Sequence, residues 1–290
     1  MTTSWLQLTL KAPSAALDAI SNFLIERGSP GVVIKKNEVQ AFFARPARTA
    51  YLKRDIQRFL RAMKGIYPGV GEEGLRWTLL QEKNWQNSWR RFFQPQKVGK
   101  GLWVGPPWIV PPELPQRQVI TIEPGMAFGT GTHPTTRTCL EFLEEVVASL
   151  NSEKLTVLDV GTGSGILAIA VAKMGASKVL ALDNDPIALR AAQANIRLNR
   201  AQQKVKLTHV ALGRVKGSFT VVVANLTAET IIGLAEALKS KAGPHGYLIL
   251  SGILKPTAGE VLRRFTPGSF DLVGQRSQRE WTTLLLRKRG

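Results

Sequence analysis

The chain has 290 residues, 44% of them apolar and 21% charged, with one cysteine and three histidines. That much apolar side chain at modest charge density excludes disorder, and a single thiol excludes an internal disulfide framework or a Cys-His zinc site. Thirty-nine Lys and Arg against 21 Asp and Glu give a formal charge of +18, carried as +10 by residues 1–120 and +8 by the rest. There is no basic tail, so the excess is either a solvated surface or a footprint for an anionic partner such as RNA.

In chain order, residues 4–11 alternate with Leu6, Leu8 and Leu10 on one side, which predicts a half-buried strand. Pro13 opens a helix whose Leu17, Ile20, Phe23 and Leu24 share one face, and Gly28 ends it. Runs 31–36 and 38–44 form a hairpin turning at Lys36-Asn37. A second helix over 51–67 sets Leu52, Ile56, Phe59, Leu60 and Met63 against Arg54, Arg58 and Arg61, and a strand over 75–81 follows. The order β-α-β-β-α-β is the split βαβ, or ferredoxin-like, plan, and nothing in it looks catalytic. This places a small α+β domain at 1–81. Residues 82–117, with Trp85, Trp89, Phe92 and Phe93 among Pro, Gly and basic side chains, read as a connector with short strands whose aromatics pack on a domain.

From 118 to 290 strands alternate with helices. Strands are expected at 119–122, 155–160, 178–183, 205–210, 219–224, 247–251, 270–275 and 281–287, with helices at 134–150, 165–174, 186–199, 228–241 and 256–265. Such alternation specifies a mostly parallel sheet covered on both faces, with ligands at the carboxyl ends of the central strands. No segment approaches the ~20 apolar residues of a membrane span. MTTSWLQLTLKAP lacks the basic and apolar regions of a signal peptide, so no membrane partner and a cytoplasmic location are expected.

Three segments carry chemistry. In LTVLDVGTGSGILAIAVA a strand ends at Asp159 and Gly161, Gly163 and Gly165 lead into a helix. Glycines let a ligand lie against bare main chain, with the amides of the helix start facing it. The spacing is GxGxG with an acid two residues earlier, which favours S-adenosyl-L-methionine (AdoMet) over a dinucleotide. Asp183 ends the next strand, where a carboxylate can accept from both ribose hydroxyls. Asn225 emerges from a run of valines, a costly place for an amide that is merely packed. It suits acceptance of a hydrogen bond from an attacking nitrogen. The third segment, residues 123–136, holds Phe128, three glycines and four threonines before a helix that Thr132 or His133 would cap.

Together IEPGMAFGTGTHPTTRTCLEFLE, LDVGTGSGILAIA, LDNDPIALRAAQANIRLN, VVVANLTAETI and LILSGIL resemble the bacterial ribosomal protein L-eleven methyltransferase (PrmA) family. The resemblance implies a class I methyltransferase: a Rossmann-like, seven-stranded, mostly parallel sheet preceded by a ferredoxin-like domain that docks the substrate. It implies AdoMet-dependent methylation of amino groups, on lysine side chains or the N-terminus, of a large-subunit ribosomal protein. Cofactor contacts then fall on Thr136, Gly161, Asp183 and Asn225. The Thr-rich loop, with Phe128 and Thr132, is expected to close over the cofactor, and Asp159 with the Gly161–Gly165 turn to hold its methionine end. Asn225 is expected to orient the amine. The acid common near the adenine is missing after His209, so adenine contacts stay unassigned. Two rivals are an N-methyltransferase of RNA or a translation factor, and a non-catalytic RNA-binding protein. Against the first, Asn225-Leu226-Thr227-Ala228 offers no aromatic partner for a flipped base.

Overall fold

The computed structural model describes residues 4–44, 49–81, 93–111, 113, 117–125, 127–129, 131, 133–150 and 155–290. The chain divides into two compact units, Met1–Gln94 and Pro95–Gly290. Trp85, Trp89 and Phe92 lie outside the described residues.

The first unit contains β1 (Ser4–Lys11), α1 (Leu17–Glu26), β2 (Val32–Lys35), β3 (Glu38–Ala44), α2 (Thr49–Lys64) and β4 (Arg76–Gln81). Its sheet runs β2-β3-β1-β4 with every pair antiparallel, the order of the split βαβ plan. Leu8 and Leu10 on β1, Ile20 and Leu24 on α1, and Ile56 and Leu60 on α2 are all buried together. Each such side chain contributes about 2 kcal/mol by leaving water. Phe23 and Phe59 stack at 3.8 Å between the two helices. The hairpin turns at Lys36, where φ is 50°.

In the second unit, β5 (Gln96–Val98), β6 (Leu102–Gly105) and β7 (Gln118–Thr121) make a three-stranded sheet in which β6 and β7 are parallel. The strand expected at 119–122 therefore stands apart from the main sheet. Its partner is β6, and its end is clamped by Asn199, which accepts from Thr121 N at 2.9 Å and donates to Thr121 O at 2.6 Å.

The main sheet follows: α3 (Pro134–Ala148), β8 (Thr156–Val160), α4 (Ile166–Lys173), β9 (Lys178–Leu182), α5 (Pro186–Leu198), β10 (Val205–Thr208), β11 (Phe219–Asn225), α6 (Ala228–Gly233), α7 (Ala235–Lys241), β12 (Ala242–Leu254), α8 (Ala258–Phe265), β13 (Phe270–Gln278) and β14 (Trp281–Lys288). The strand order is β10-β9-β8-β11-β12-β14-β13, parallel up to β12 and antiparallel beyond it. Odd positions such as Val157, Val221, Val223 and Ile249 pack with α3, α4 and α5, and even positions such as Leu158, Val222 and Leu248 pack with α6, α7 and α8. A sheet covered twice needs unbroken apolar runs, which VVVA supplies.

Two boundaries differ from expectation. The helix expected over 228–241 is two, broken after Gly233 at Leu234, where ψ is 5°. The strand expected at 247–251 runs from 242 to 254, passing a register shift near Gly252, whose φ is 82°.

Candidate functional site

Val160 pairs with Leu182 on one side and Ala224 on the other. The next residue of each strand is therefore Gly161, Asp183 or Asn225, and these three stand level at the carboxyl ends of β8, β9 and β11. Parallel register alone brings together positions up to 64 residues apart.

The glycine turn is tight. Gly161, Gly163 and Gly165 have φ of 74°, 55° and 83°, values that disfavour any side chain. A Cβ on Gly163 would lie 2.6 Å from Phe128 O, and one on Gly165 would lie 3.3 Å from Ala192 Cα. The amides of the turn do not face outward as expected. Gly161 N and Thr162 N donate to Leu182 O, Gly163 N to Asp183 Oδ2, Ser164 N to Phe128 O and Gly165 N to Thr162 O. The turn can offer a ligand its bare Cα faces and remaining carbonyl oxygens, which suits a cationic group better than a phosphate.

Asp159 strengthens that inference. It is wholly buried, its Oδ2 accepts from Thr162 Oγ1 at 2.6 Å, and its Oδ1 has no hydrogen-bond partner. Burial pushes its carboxyl up to about 7, with the Thr162 hydroxyl pulling the other way. An orphaned buried acceptor beside the turn is costly, and a cationic ligand would relieve the cost. The residues thus fit AdoMet, whose α-ammonium and sulfonium groups both carry positive charge.

Asp183 is half-buried, and its Oδ1 accepts from Asp185 N at 3.0 Å. Its carboxylate is therefore aimed before any ligand arrives. Asp185, not Asp183, caps α5, accepting from Ile187 N at 2.8 Å. Asn225, also half-buried, donates through Nδ2 to Thr136 Oγ1 at 3.4 Å. Thr136 itself is 1% exposed in the first turn of α3.

The loop before α3 lies on the glycine turn. Besides the Phe128 carbonyl contact, Ser164 Oγ donates to Gly129 O at 2.5 Å. Phe128 is 57% exposed, its ring edge-on to His133 at 5.2 Å, and His133 meets Trp281 at the same separation. His133 caps α3, accepting from Thr135 N at 3.3 Å. Thr132 lies outside the described residues. Among the described residues no group of three or more His, Cys, Asp or Glu could hold a metal.

Two site-forming residues escaped the sequence reading. Asn195, 1% exposed on α5, accepts from Glu123 N and donates to Ser164 O, both at 2.9 Å, so one amide ties the loop to the glycine turn. Asn195 inside a helix was the available signal, since Asn is unfavourable there unless its amide has work to do. Cys139, fully buried on α3, is the other. Burial pushes its thiol up to about 12 against a hydrogen bond with Ser251.

Residues 4–289 match the family model described as ribosomal protein L11 methyltransferase (PrmA). The ribosomal protein L11 methyltransferase of Citrifermentans bemidjiense is 37% identical over 306 aligned positions, covering 99% of both chains, and that of Geobacter sulfurreducens is 36% identical across 100% of both. The crystal structure of a ribosomal protein L11 methylase from Lactobacillus delbrueckii subsp. bulgaricus superposes with a TM-score of 0.62 at 31% identity, covering 68% of this chain and all of that one. A match that extends over both units, and not over the methyltransferase fold alone, means that this chain belongs to the ribosomal protein L11 methyltransferase (PrmA) family.

Proposed function

We propose that the level ends of β8, β9 and β11 hold AdoMet and present its methyl group to an amine of ribosomal protein L11. The observation that carries this reading is the convergence of Gly161, Asp183 and Asn225 on one edge, with Thr136 joined to Asn225 from a separate segment. Asp183 would accept from the ribose hydroxyls. Asp159 and the Gly161, Gly163 and Gly165 turn would hold the methionine end. Thr136, Phe128 and Thr132 would close the site from the loop side.

AdoMet supplies a methyl on a positively charged sulfur, which an amine lone pair displaces to leave S-adenosylhomocysteine. The chain's task is to deliver a neutral, aimed amine. A lysine with pKa near 10.4 costs about 4–5 kcal/mol to deprotonate at pH 7, and an α-amino group near 8 about 1 kcal/mol. Excluding water lowers that cost by penalising the ammonium form, and orientation supplies the rest. Asn225 is the catalytic residue in this scheme: with Nδ2 engaged by Thr136, its Oδ1 is left to accept from the amine. The first unit would dock the protein substrate. The activity belongs in the cytoplasm, where free ribosomal protein is available; among the described residues no helix is long and apolar enough to cross a membrane.

Mass spectrometry of recombinant ribosomal protein L11 incubated with the enzyme and labelled AdoMet tests the proposal. Methylated lysine or N-terminal amine is the expected product, and label that appears only in added RNA would defeat it.

A further inference from the structure

On the side of the sheet that α3 covers, the position nearest the carboxyl edge is polar on four neighbouring strands: Asp159 on β8, Asn225 on β11, Ser251 on β12 and Thr283 on β14. Each lies two residues from a buried apolar neighbour of the same face, Val157, Val223, Ile249 and Leu285. Ser251 and Thr283 are buried as deeply as any leucine, and Thr138 of α3 meets them from above. Thr283 Oγ1 lies 2.5 Å from Thr138 Oγ1 and 2.6 Å from Ser251 Oγ, and Ser251 Oγ donates to Thr135 O at 3.2 Å.

Three hydroxyls have three protons to place, and the Cys139 thiol borders the cluster at Ser251. Directed Thr138 to Thr283 to Ser251 to the Thr135 carbonyl, each donates once and the chain closes on the backbone of α3. The competing bonds from Thr138 to Pro134 O and Thr135 O are longer, at 3.1 and 3.2 Å. Such chains strengthen one another in a dry interior. An apolar trio of the same shape would pack here without desolvation cost, so the polarity calls for a purpose beyond filling space. The residue after Thr135 is Thr136, whose hydroxyl receives the Asn225 amide.

We propose that Ser251 and Thr283 are positioning residues for methyl transfer: their hydroxyl chain fixes the first turn of α3 and, through Thr136, the rotamer of Asn225. This rests on the role given to Asn225 above. Thr283→Val keeps the volume and removes the link. With both substrates saturating, kcat is expected to fall about tenfold, a loss of aim rather than of binding. AdoMet Kd by calorimetry should stay within about twofold, and Thr283→Ser should restore kcat. The Thr136→Val, Thr283→Val double variant should lose no more than the worse single variant, because both break one chain. In the ligand-free protein the side-chain amide resonances of Asn225 should shift in Thr283→Val. Ser251→Ala runs the same cycle if Thr283→Val does not fold.

Additive losses in the cycle, Thr283→Ser as impaired as Thr283→Val, or unmoved Asn225 resonances would each overturn the proposal. Full turnover by Asn225→Ala would instead defeat the role given to Asn225, so the two failures are told apart.

Discussion

Asn225 and Thr136, 89 residues apart, are joined by a hydrogen bond of 3.4 Å between the end of a buried strand and the first turn of a helix. In this bond the amide nitrogen is the donor and the Thr136 hydroxyl the acceptor. With the nitrogen turned to Thr136, the oxygen is the half that can receive an N–H from substrate. Asn225→Ala is therefore expected to keep AdoMet affinity within a few fold while turnover falls about 100-fold, the scale of losing one preorganised polar group at a reacting centre. Calorimetry and steady-state kinetics on ribosomal protein L11 separate the two quantities, and an equal fall in both would make Asn225 a cofactor residue only.

Asp183 should behave in the opposite way. Hydrogen bonds to a charged group are worth about 1.5–3 kcal/mol each, so Asp183→Ala is expected to weaken AdoMet binding by about 100-fold. Asp183 is half-buried at a strand end, outside the apolar clusters of the sheet, so circular dichroism should show the fold intact. Undiminished affinity would refute the ribose assignment.

Asp159 gives a pH signature to the unliganded protein. Its carboxyl titrates near 7 in the folded state, above the ordinary value of about 3.9 for an unfolded chain. The native state therefore binds the extra proton between those values, and stability falls as pH rises from about 4 to about 7. Melting temperatures across that range should decline in the wild type relative to Asp159→Asn, which has no proton to lose. Parallel profiles for the two proteins would show that the carboxyl is not held this way.

Gly163→Ala tests the contact between turn and loop. The new methyl would press on the Phe128 carbonyl at a backbone angle that disfavours side chains. A loss of about 1–3 kcal/mol is expected from the angle alone. Denaturant unfolding measures that loss. AdoMet binding should fall with it, because the loop can no longer rest on the turn.

Pro95–Gly290 should fold without the first unit, since each has its own core. The truncated protein is expected to bind AdoMet and to leave ribosomal protein L11 unmethylated. Retained methylation would remove the docking role from residues 1–94.

Much of this was legible in the sequence because it is local. Strand, acid and alternating glycines lie within eleven residues, 155–165, and the valine run ending in Asn225 needs no partner to be seen. What the sequence hid is set by pairing across the sheet. Ser251 and Thr283 read as ordinary members of strands β12 and β14 until the antiparallel pairing of those strands places them 2.6 Å apart. Residues 119–122 looked like one more strand of the alternation, and only the claim of β6 on the backbone of 118–121 moves that strand to another sheet. The amides of the glycine turn were expected to face a ligand. Leu182, Asp183 and Phe128 take them first, and Phe128 and Asp183 arrive from distant parts of the chain.

Cys139 sits one helical turn from Thr136, close to where a strong alkylating agent would be held. A thiolate there would be the best nucleophile in the neighbourhood. Burial pushes its pKa up to about 12, so at pH 7 the sulfur stays a thiol. The enzyme can keep a sulfur beside its own electrophile without becoming a casualty of it.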